Sequence, residues 1–188
     1  PEIKNFFVCC GLNSIGIGSG GGVGKVTAEW LINGHINEDI FSYDIKRFQK
    51  FHSELGFIKE RITETLGDLY GMHWPFKQHK TSRDQKLTPY HEEMKKAGAC
   101  FGVTGGYERP MWYAINGQKS EYEYSYNYQN WYPAVEYETK NTRENVGLFD
   151  LTAFSKYDLK GNNVHFELQK LCTANIKSEP GKTTYTQM

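Results

Sequence analysis

Two segments of the chain carry apolar residues at the spacing of one helical face, and each predicts an amphipathic helix. In the first segment these residues are Val23, Val26, Trp30 and Leu31. Gly34 follows at the position where glycine commonly ends a helix. The second segment begins near Ser53, and its apolar residues are Leu55, Ile58, Ile62, Leu66 and Leu69.

Three further helices are predicted in the second half of the chain. Thr88 and Pro89 predict the N-cap and first residue of a short helix that ends near Gly98. Another helix is predicted over residues 134–146. Asn163 is expected to cap the last helix, whose apolar positions are Val164, Leu168, Leu171 and Cys172.

Strands are predicted from other patterns. The run IKNFFVCCG, residues 3–11, is almost continuously apolar, which is typical of a strand buried on both faces. Tyrosines alternate with polar residues over 121–133, which predicts a half-exposed strand. Residues 148–161 predict a strand that ends in a turn, and residues 39–45 a short strand or an extended tail. Because residues 73–86 are polar and aperiodic, we predict a connector there.

The amino-acid composition argues against nucleic acids and membranes as binding partners. Twenty-two basic residues balance 22 acidic ones, so no global charge attracts nucleic acid or an anionic membrane. No apolar run reaches the ~18 residues that a membrane helix needs. Four cysteines without a CxxC pair predict buried reduced thiols, and hence cytosol or mitochondrial matrix. The start at Pro1 and the end at Met188 within a strand-like run predict a fragment of a longer protein.

The glycine-rich stretch 11–24 leaves several hypotheses open. A phosphate-binding P-loop would need Ser or Thr after Lys25, where Val26 stands. Gly16, Gly18 and Gly21 fit the dinucleotide pattern GxGxxG, with Glu38 and Asp39 at the distance of the ribose-binding acid. A helix N-terminus could also stabilise the negative charge of a reduced flavin. A close crossing of strand and helix with no ligand is the structural alternative.

Three long motifs resemble a known family. CGLNSIGIGSGGGVGKVTAEWLINGHINEDIFSYDIKRF is similar to the closing segment of the FAD-binding domain of the dimethylglycine and sarcosine dehydrogenases. GACFGVTGGYERPMWYA and ENVGLFDLTAFSKYDLKG resemble the junction and the opening of the second half of these enzymes, which is similar to the glycine-cleavage T-protein aminomethyltransferase. The fold class expected from this resemblance is mixed α/β and α+β, the strand–helix end of a flavin domain joined to the start of a folate-binding domain.

The resemblance implies an FAD-dependent oxidoreductase that passes a one-carbon unit to tetrahydrofolate. The substrate would be a small methylamine, sarcosine or dimethylglycine, and neither nucleic acid nor membrane would be a partner. Ile15 would face the substrate side of the flavin. The residues implied to contact FAD through their backbone are Leu12, Asn13, Ser14, Ile15, Gly16 and Ile17. Glycines between Gly20 and Gly24 would let the following helix pack tightly on a sheet.

In the transferase half, the resemblance places Phe154 and Tyr185 in the folate pocket. It also implies that the transferase's catalytic carboxylate follows Met188 and that the pyrophosphate-binding glycine motif precedes Pro1, so catalytic residues stay unknown. The predicted organisation is the end of a flavin domain at 1–50, a helix and connector at 51–87, and a truncated aminomethyltransferase-like domain at 88–188. The alternatives are a non-catalytic regulator, resembling the pyruvate dehydrogenase phosphatase regulatory subunit, and a plain nucleotide-binding module.

Other polar residues are expected to have structural roles and not catalytic or ligand-binding ones. Glu108 and Arg109 are predicted to form a pair that braces a turn, and Asp150 to accept hydrogen bonds from nearby backbone N–H groups. His73 and His79 have no ligand-type neighbour in the sequence, so no metal site is predicted. Stacking of nucleic-acid bases on the many tyrosines is disfavoured by the balanced charge.

Overall fold

A computed structural model describes residues 3–188 of the chain. It combines five α-helices with one two-stranded sheet in that range, which confirms the mixed fold class. The chain divides into two compact units, Pro1–Thr63 and Glu64–Met188. No helix among the described residues is both long and apolar enough to cross a membrane.

The first unit is organised around helix α1, Gly16–Asn33. Its end is as predicted: Gly34 adopts a left-handed conformation, φ 74°, and its N–H bonds to the carbonyl of Trp30 at 2.9 Å. Its start is earlier than the apolar spacing indicated, because the helix begins at Gly16 and includes the glycines that precede Val23. Phe7 packs edge-on against Trp30, with ring centroids 5.3 Å apart.

The strand predicted for residues 3–11 does not form. No described segment lies alongside it to accept a ladder of hydrogen bonds, and a strand without a neighbour leaves its backbone groups unpaired. The segment turns instead, with Asn5 at φ 61° and a bond from the N–H of Phe6 to the carbonyl of Ile3. Cys9 and Cys10 are consequently exposed, against the prediction of buried thiols, whereas Cys100 and Cys172 are buried; all four are free.

The extended segment expected at residues 39–45 is helical. Short 3₁₀ turns occupy Phe41–Tyr43, Ile45–Arg47 and Lys50–Ser53. Helix α2 follows at Leu55–Tyr70, which confirms the helix predicted from near Ser53. The polar segment at 73–86 contains no helix or strand, as predicted for a connector.

The second unit is built on an antiparallel hairpin of β1, Ala99–Thr104, and β2, Tyr107–Tyr113. The short helix α3, His91–Lys96, precedes it. This helix starts later than predicted because Thr88 makes a turn through its carbonyl, which accepts from the N–H of His91, and its side chain caps nothing.

The core lies between the hairpin and helix α4, Tyr132–Glu144, which corresponds to the helix predicted at 134–146. Cys100, Trp112 and Ala134 form its centre, and Trp112 is only 1% exposed. Aromatic rings pack around this centre: Tyr122 lies edge-on to Trp112 and to Trp131. Large buried rings contribute strongly to the hydrophobic stabilisation of a core.

The tyrosine-rich segment at 121–133 is not a strand. Side chains rather than a neighbouring strand take its backbone groups: Asn130 bonds to Glu123 and Glu121, and the Gln129 amide bonds to Ser125. Such local bonds compete with a sheet ladder. Tyr122 and Tyr124 stack on each other beside Trp131 and do not pack across strands.

The strand predicted over residues 148–161 is also absent. Its backbone is bonded by the side chains of Asp150 and Lys156, which again replace a ladder. Helix α5, Val164–Leu171, follows Asn163 as predicted, although the Asn163 side chain makes no capping bond. The carboxy-terminal segment pairs with Thr173 through single hydrogen bonds and forms no assigned strand.

Candidate functional site

The predicted flavin-binding residues lie in the turn that leads into α1 and in its first helical residues. Gly11 and Ser14 have positive φ angles of 78° and 62°, and the N–H of Ile15 bonds to the carbonyl of Leu12 at 3.0 Å. The turn therefore ends abruptly at the N-terminus of the helix. Asn13, Ser14 and Ile15 are exposed, whereas Leu12 is half-buried.

The first turn of α1 offers backbone donors. Ile15 is the N-cap and makes no side-chain capping bond, and no acidic residue lies in the first turn. The N–H groups of Gly16, Ile17 and Gly18 precede the first intrahelical bond, which runs from Ser19 to Ile15. These donors and the helix dipole favour an acceptor or a negative charge at this end.

The glycines of α1 leave open space beside the helix. A Cβ added at Gly18, Gly20, Gly21, Gly22 or Gly24 would meet no described atom within 4 Å. The close packing on a sheet that we predicted for Gly20–Gly24 has no partner among the described residues. Their smallness leaves the helix backbone accessible over two turns, which a flat ligand could exploit.

This geometry argues against both nucleotide alternatives. Lys25 lies in the middle of α1 and pairs with Glu38 at 3.1 Å and Glu29 at 3.5 Å, whereas a P-loop lysine stands at the start of its helix. Gly16, Gly18 and Gly21 lie inside the helix, so no glycine turn precedes it as the dinucleotide pattern requires.

In the second unit, Phe154 lies in a loop and its ring is 53% exposed. The Arg109 guanidinium lies over this ring, with Cζ 4.8 Å from the ring centroid. Tyr185 is 92% exposed, and no ring contact among residues 3–188 joins it to Phe154. The structure thus gives Phe154 a defined environment and leaves Tyr185 in solvent.

Asp150 accepts hydrogen bonds from the backbone N–H of Thr152 at 2.9 Å and from its hydroxyl at 2.6 Å, as predicted for this carboxylate. Burial alone would raise the pKa of Asp150. The bonds from Thr152 outweigh burial, with Thr88 and the charge of Arg109 acting in the same direction, so the pKa lies below its usual range. Asp150 therefore stays ionised and is a structural anchor of the loop.

Glu108 does not pair with Arg109, which corrects the sequence prediction. Its partner is Arg83, whose guanidinium bonds to both carboxylate oxygens of Glu108 and to the carbonyls of His79 and Phe101. Glu108 is 1% exposed. Alternation along β2 points successive side chains to opposite faces, so Glu108 faces inward and Arg109 cannot share that face. No pattern in the sequence indicated that Arg83 pairs with Glu108, because the two residues are 25 positions apart.

A second polar cluster lies at the end of α2. His79 Nδ1 is 3.8 Å from a Glu64 oxygen and 3.6 Å from an Asp68 oxygen, so His79 does have carboxylate neighbours, contrary to the sequence reading. These three side chains have ligand atoms close enough for a metal ion. Lys77 already pairs with Asp68, and Glu64 accepts bonds from the N–H groups of Lys80 and Thr81, so both carboxylates have structural partners.

The same cluster borders an open cleft of about 350 Å³. It is lined by Asp68, His73, Trp74, Phe76, Lys77 and His79. His73 lies at the edge of this cleft and is exposed.

Burial and hydrogen bonding shift the pKa values of three further groups. Burial raises the pKa of the Cys100 thiol to about 11 and also raises the pKa of Tyr122, so both are neutral core groups. Burial would raise the pKa of Glu64 as well. The bonds from Thr81 and Lys80 outweigh it and lower that pKa from 4.5 to about 2. None of these three groups is poised for acid–base chemistry near neutral pH.

Two family models match successive parts of the chain. The FAD dependent oxidoreductase central domain matches residues 33–88, and the GCVT N-terminal domain matches residues 90–188. The second model alone covers more than half of the chain.

Curated relatives match almost the whole chain. It is 41% identical over 98% of its length to 4-methylaminobutanoate oxidase (formaldehyde-forming) of Paenarthrobacter nicotinovorans, covering 22% of that protein. It is 30% identical over its full length to mitochondrial sarcosine dehydrogenase of Homo sapiens, covering 23%. It is 28% identical over its full length to the mitochondrial pyruvate dehydrogenase phosphatase regulatory subunit of Mus musculus, covering 22%.

The chain thus spans about a fifth of the length of these relatives. The resemblance to the dimethylglycine and sarcosine dehydrogenases is confirmed, since relatives of both names match it. The chain belongs to the family defined by the GCVT N-terminal domain, which here follows the central domain of an FAD-dependent oxidoreductase.

Proposed function

We propose that this chain is the flavin-to-folate junction of an FAD-dependent demethylating enzyme. The observation that carries the proposal is the order of the two family matches, an oxidoreductase central domain followed directly by a GCVT N-terminal domain. An enzyme with both domains would oxidise an N-methyl amine and pass the released carbon to tetrahydrofolate. Its compartment would be the bacterial cytosol or the mitochondrial matrix.

The turn before α1 is proposed as the flavin contact. FAD, when bound, would accept the hydride from the substrate's methyl group. The backbone N–H groups of Gly16 and Ile17 would donate to the pyrimidine side of the ring, where negative charge develops on reduction. The support for these proposed hydrogen bonds is geometric. The donors have no capping side chain, and the neighbouring glycines leave the helix backbone uncovered.

The side chain of Ile15 would face the substrate in this arrangement. It is the N-cap and is 50% exposed, so its apolar surface is available to pack against a methyl group. Leu12, Asn13 and Ser14 would complete the contact through their backbone. Their conformation supports this role, since the positive φ of Ser14 turns the chain sharply toward the helix.

Phe154 and Tyr185 are proposed to line the folate pocket. Aromatic rings are suited to the flat pterin and benzoyl groups of tetrahydrofolate. Both lie within residues 90–188, which match the GCVT N-terminal domain. Tyr185 is exposed, and Phe154 is half-exposed with Arg109 over one face only, so each ring offers a surface to a ligand.

The substrate class is an N-methylated amino acid. Sarcosine and dimethylglycine are the proposed substrates, and the relative with 41% identity is named for a methylamino acid with a longer chain. Sarcosine and dimethylglycine have the same short distance from the nitrogen to the carboxylate and differ in the number of N-methyl groups, whereas 4-methylaminobutanoate has a longer distance. A pocket that binds that carboxylate through a fixed donor discriminates strongly between such lengths.

The competing candidate is a non-catalytic regulator. It rests on the 28% identity to the phosphatase regulatory subunit. The two candidates make opposite predictions for the flavin spectrum of the full-length protein.

The test uses the protein from the full-length reading frame. We expect a yellow protein whose absorbance at about 450 nm is bleached by one of sarcosine, dimethylglycine or 4-methylaminobutanoate, with tetrahydrofolate suppressing free formaldehyde. A colourless protein, or a flavin that none of these amines reduces, would contradict the proposal and favour the regulator. Residues 1–188 alone are expected to show no turnover.

A further inference from the structure

The loop that carries Phe154 is shaped by charged side chains at both of its ends. The Asp150 carboxylate accepts two bonds from Thr152. At the other end, the Lys156 ammonium donates to the carbonyls of Leu151 at 2.8 Å, Thr152 at 3.2 Å and Phe154 at 2.8 Å. Three carbonyls converging on one cation fix the backbone of Phe154 within a loop that has no regular secondary structure.

Arg109 fixes the ring of Phe154 from a different element. It projects from β2, on the face opposite to Glu108, and its guanidinium covers one face of the ring. Among residues 3–188 this side chain forms no hydrogen bond or ion pair; it lies over the Phe154 ring, and its charge also acts on Asp150. A guanidinium stays charged at all relevant pH values and is held over an aromatic face by the ring quadrupole.

The Phe154 ring is fixed in position but remains about half exposed to solvent. Phe154 is 53% exposed although its backbone and one of its faces are both engaged. A hydrophobic anchor of the loop would be buried, whereas a ring that is fixed but exposed is pre-organised to bind. Pre-organisation lowers the entropic cost of ordering that side chain when a ligand arrives.

We propose that Arg109 is a positioning residue for tetrahydrofolate, which acts by holding the Phe154 ring in its binding orientation. Lys156 supports it by fixing the backbone beneath the ring. This inference rests on the proposed role of Phe154 in the folate pocket. Arg109 itself makes no contact with the ligand, and its effect passes through Phe154.

The test is a double-mutant cycle on the full-length protein, with 5-formyltetrahydrofolate as the probe in calorimetric titration. We expect Arg109→Met and Phe154→Leu each to weaken binding about 3- to 10-fold. In the Phe154→Leu background, Arg109→Met should have no further effect, because the ring on which it acts is gone. Arg109→Lys, which keeps the cation, should retain most of the affinity.

Matched controls separate this effect from general loss of charge or fold. Arg143→Met removes an exposed arginine on α4 and should leave binding unchanged. Lys156→Gln should weaken binding, whereas Lys160→Gln in the same segment should not. The FAD absorbance and the thermal midpoint should be the same in all variants.

The possible outcomes are distinct. If the wild-type protein does not bind the folate at all, the proposed function fails and the inference falls with it. If the wild type binds but Arg109→Met and Lys156→Gln bind equally well, the inference alone is wrong. It is also wrong if Arg109→Met weakens binding to the same extent in the Phe154→Leu background, since Arg109 would then act independently of the ring.

Discussion

The two units of the chain differ in how their apolar residues are covered. In the first unit no described residue is buried, and Ile17 and Ile32 are 104% and 81% exposed. The second unit encloses Trp112 and Glu108, each 1% exposed. Both contain long helices, so local hydrogen bonding alone does not make a core. Among the described residues, a hairpin and a buried remote ion pair occur in the second unit and not in the first.

The largest expected effect is a difference in unfolding free energy between substitutions of two tryptophans, one in each unit. Trp112→Ala should destabilise the second unit by about 3–5 kcal/mol, because it leaves a cavity in the core. Trp30→Ala should change the free energy of unfolding of that unit by less than about 0.5 kcal/mol. Urea unfolding of the 188-residue chain followed by circular dichroism measures both. Equal shifts for the two variants would show that the units do not differ as described.

The ion pair of the second unit should have the next largest effect. Glu108→Ala leaves the Arg83 guanidinium without its carboxylate, and we expect a loss of about 2–3 kcal/mol. The matched control is Glu93→Ala, which breaks the exposed pair with Lys96 and should cost less than about 0.5 kcal/mol. The same urea experiment measures both. If Glu108→Ala were as mild as the control, the buried pair would not hold the hairpin to the connector.

Glu64 connects the end of α2 to the connector, and its effect should depend on pH. Its pKa is lowered from 4.5 to about 2, so its contribution is fully present above about pH 4.5 and is lost as pH falls toward 2. Glu64→Gln should cost about 1–3 kcal/mol at pH 7 and progressively less at low pH. Glu92→Gln on α3 is the control. A pH-independent difference between Glu64→Gln and wild type would contradict the charged hydrogen bonds.

The smallest expected effect tests the exposed helix of the first unit. Gly21→Ala should raise the helicity of the 188-residue chain, since alanine favours a helix interior over glycine by about 0.8–1 kcal/mol and has open space here. In the full-length protein the same change should lower FAD content, because its methyl group would intrude on the ring.

Gly67→Ala in α2 is the control for this last comparison. It also meets no atom within 4 Å, so helicity should rise while FAD content is unchanged. Undiminished FAD in Gly21→Ala would remove the reason for proposing a flavin beside these glycines.

Helix positions followed largely from the sequence. The apolar spacing of α2 and the glycine after α1 depend only on contacts within a few residues, and the structure has both. The predicted strands failed for the complementary reason. Residues 3–11 and 121–133 have strand-like composition, but a strand requires a partner elsewhere in the chain, and side chains or turns took their backbone groups instead.

The candidate sites also combine local features, which the sequence marks, with contacts between distant residues, which only the structure shows. The sequence and its family resemblance marked the turn at residues 12–17 and the ring of Phe154, because those features are local. Only the tertiary structure determined that Arg83, 25 residues away, pairs with Glu108 and leaves Arg109 free to lie on Phe154. Charge pairs of this kind form between elements that packing brings together, and no spacing along the chain encodes them.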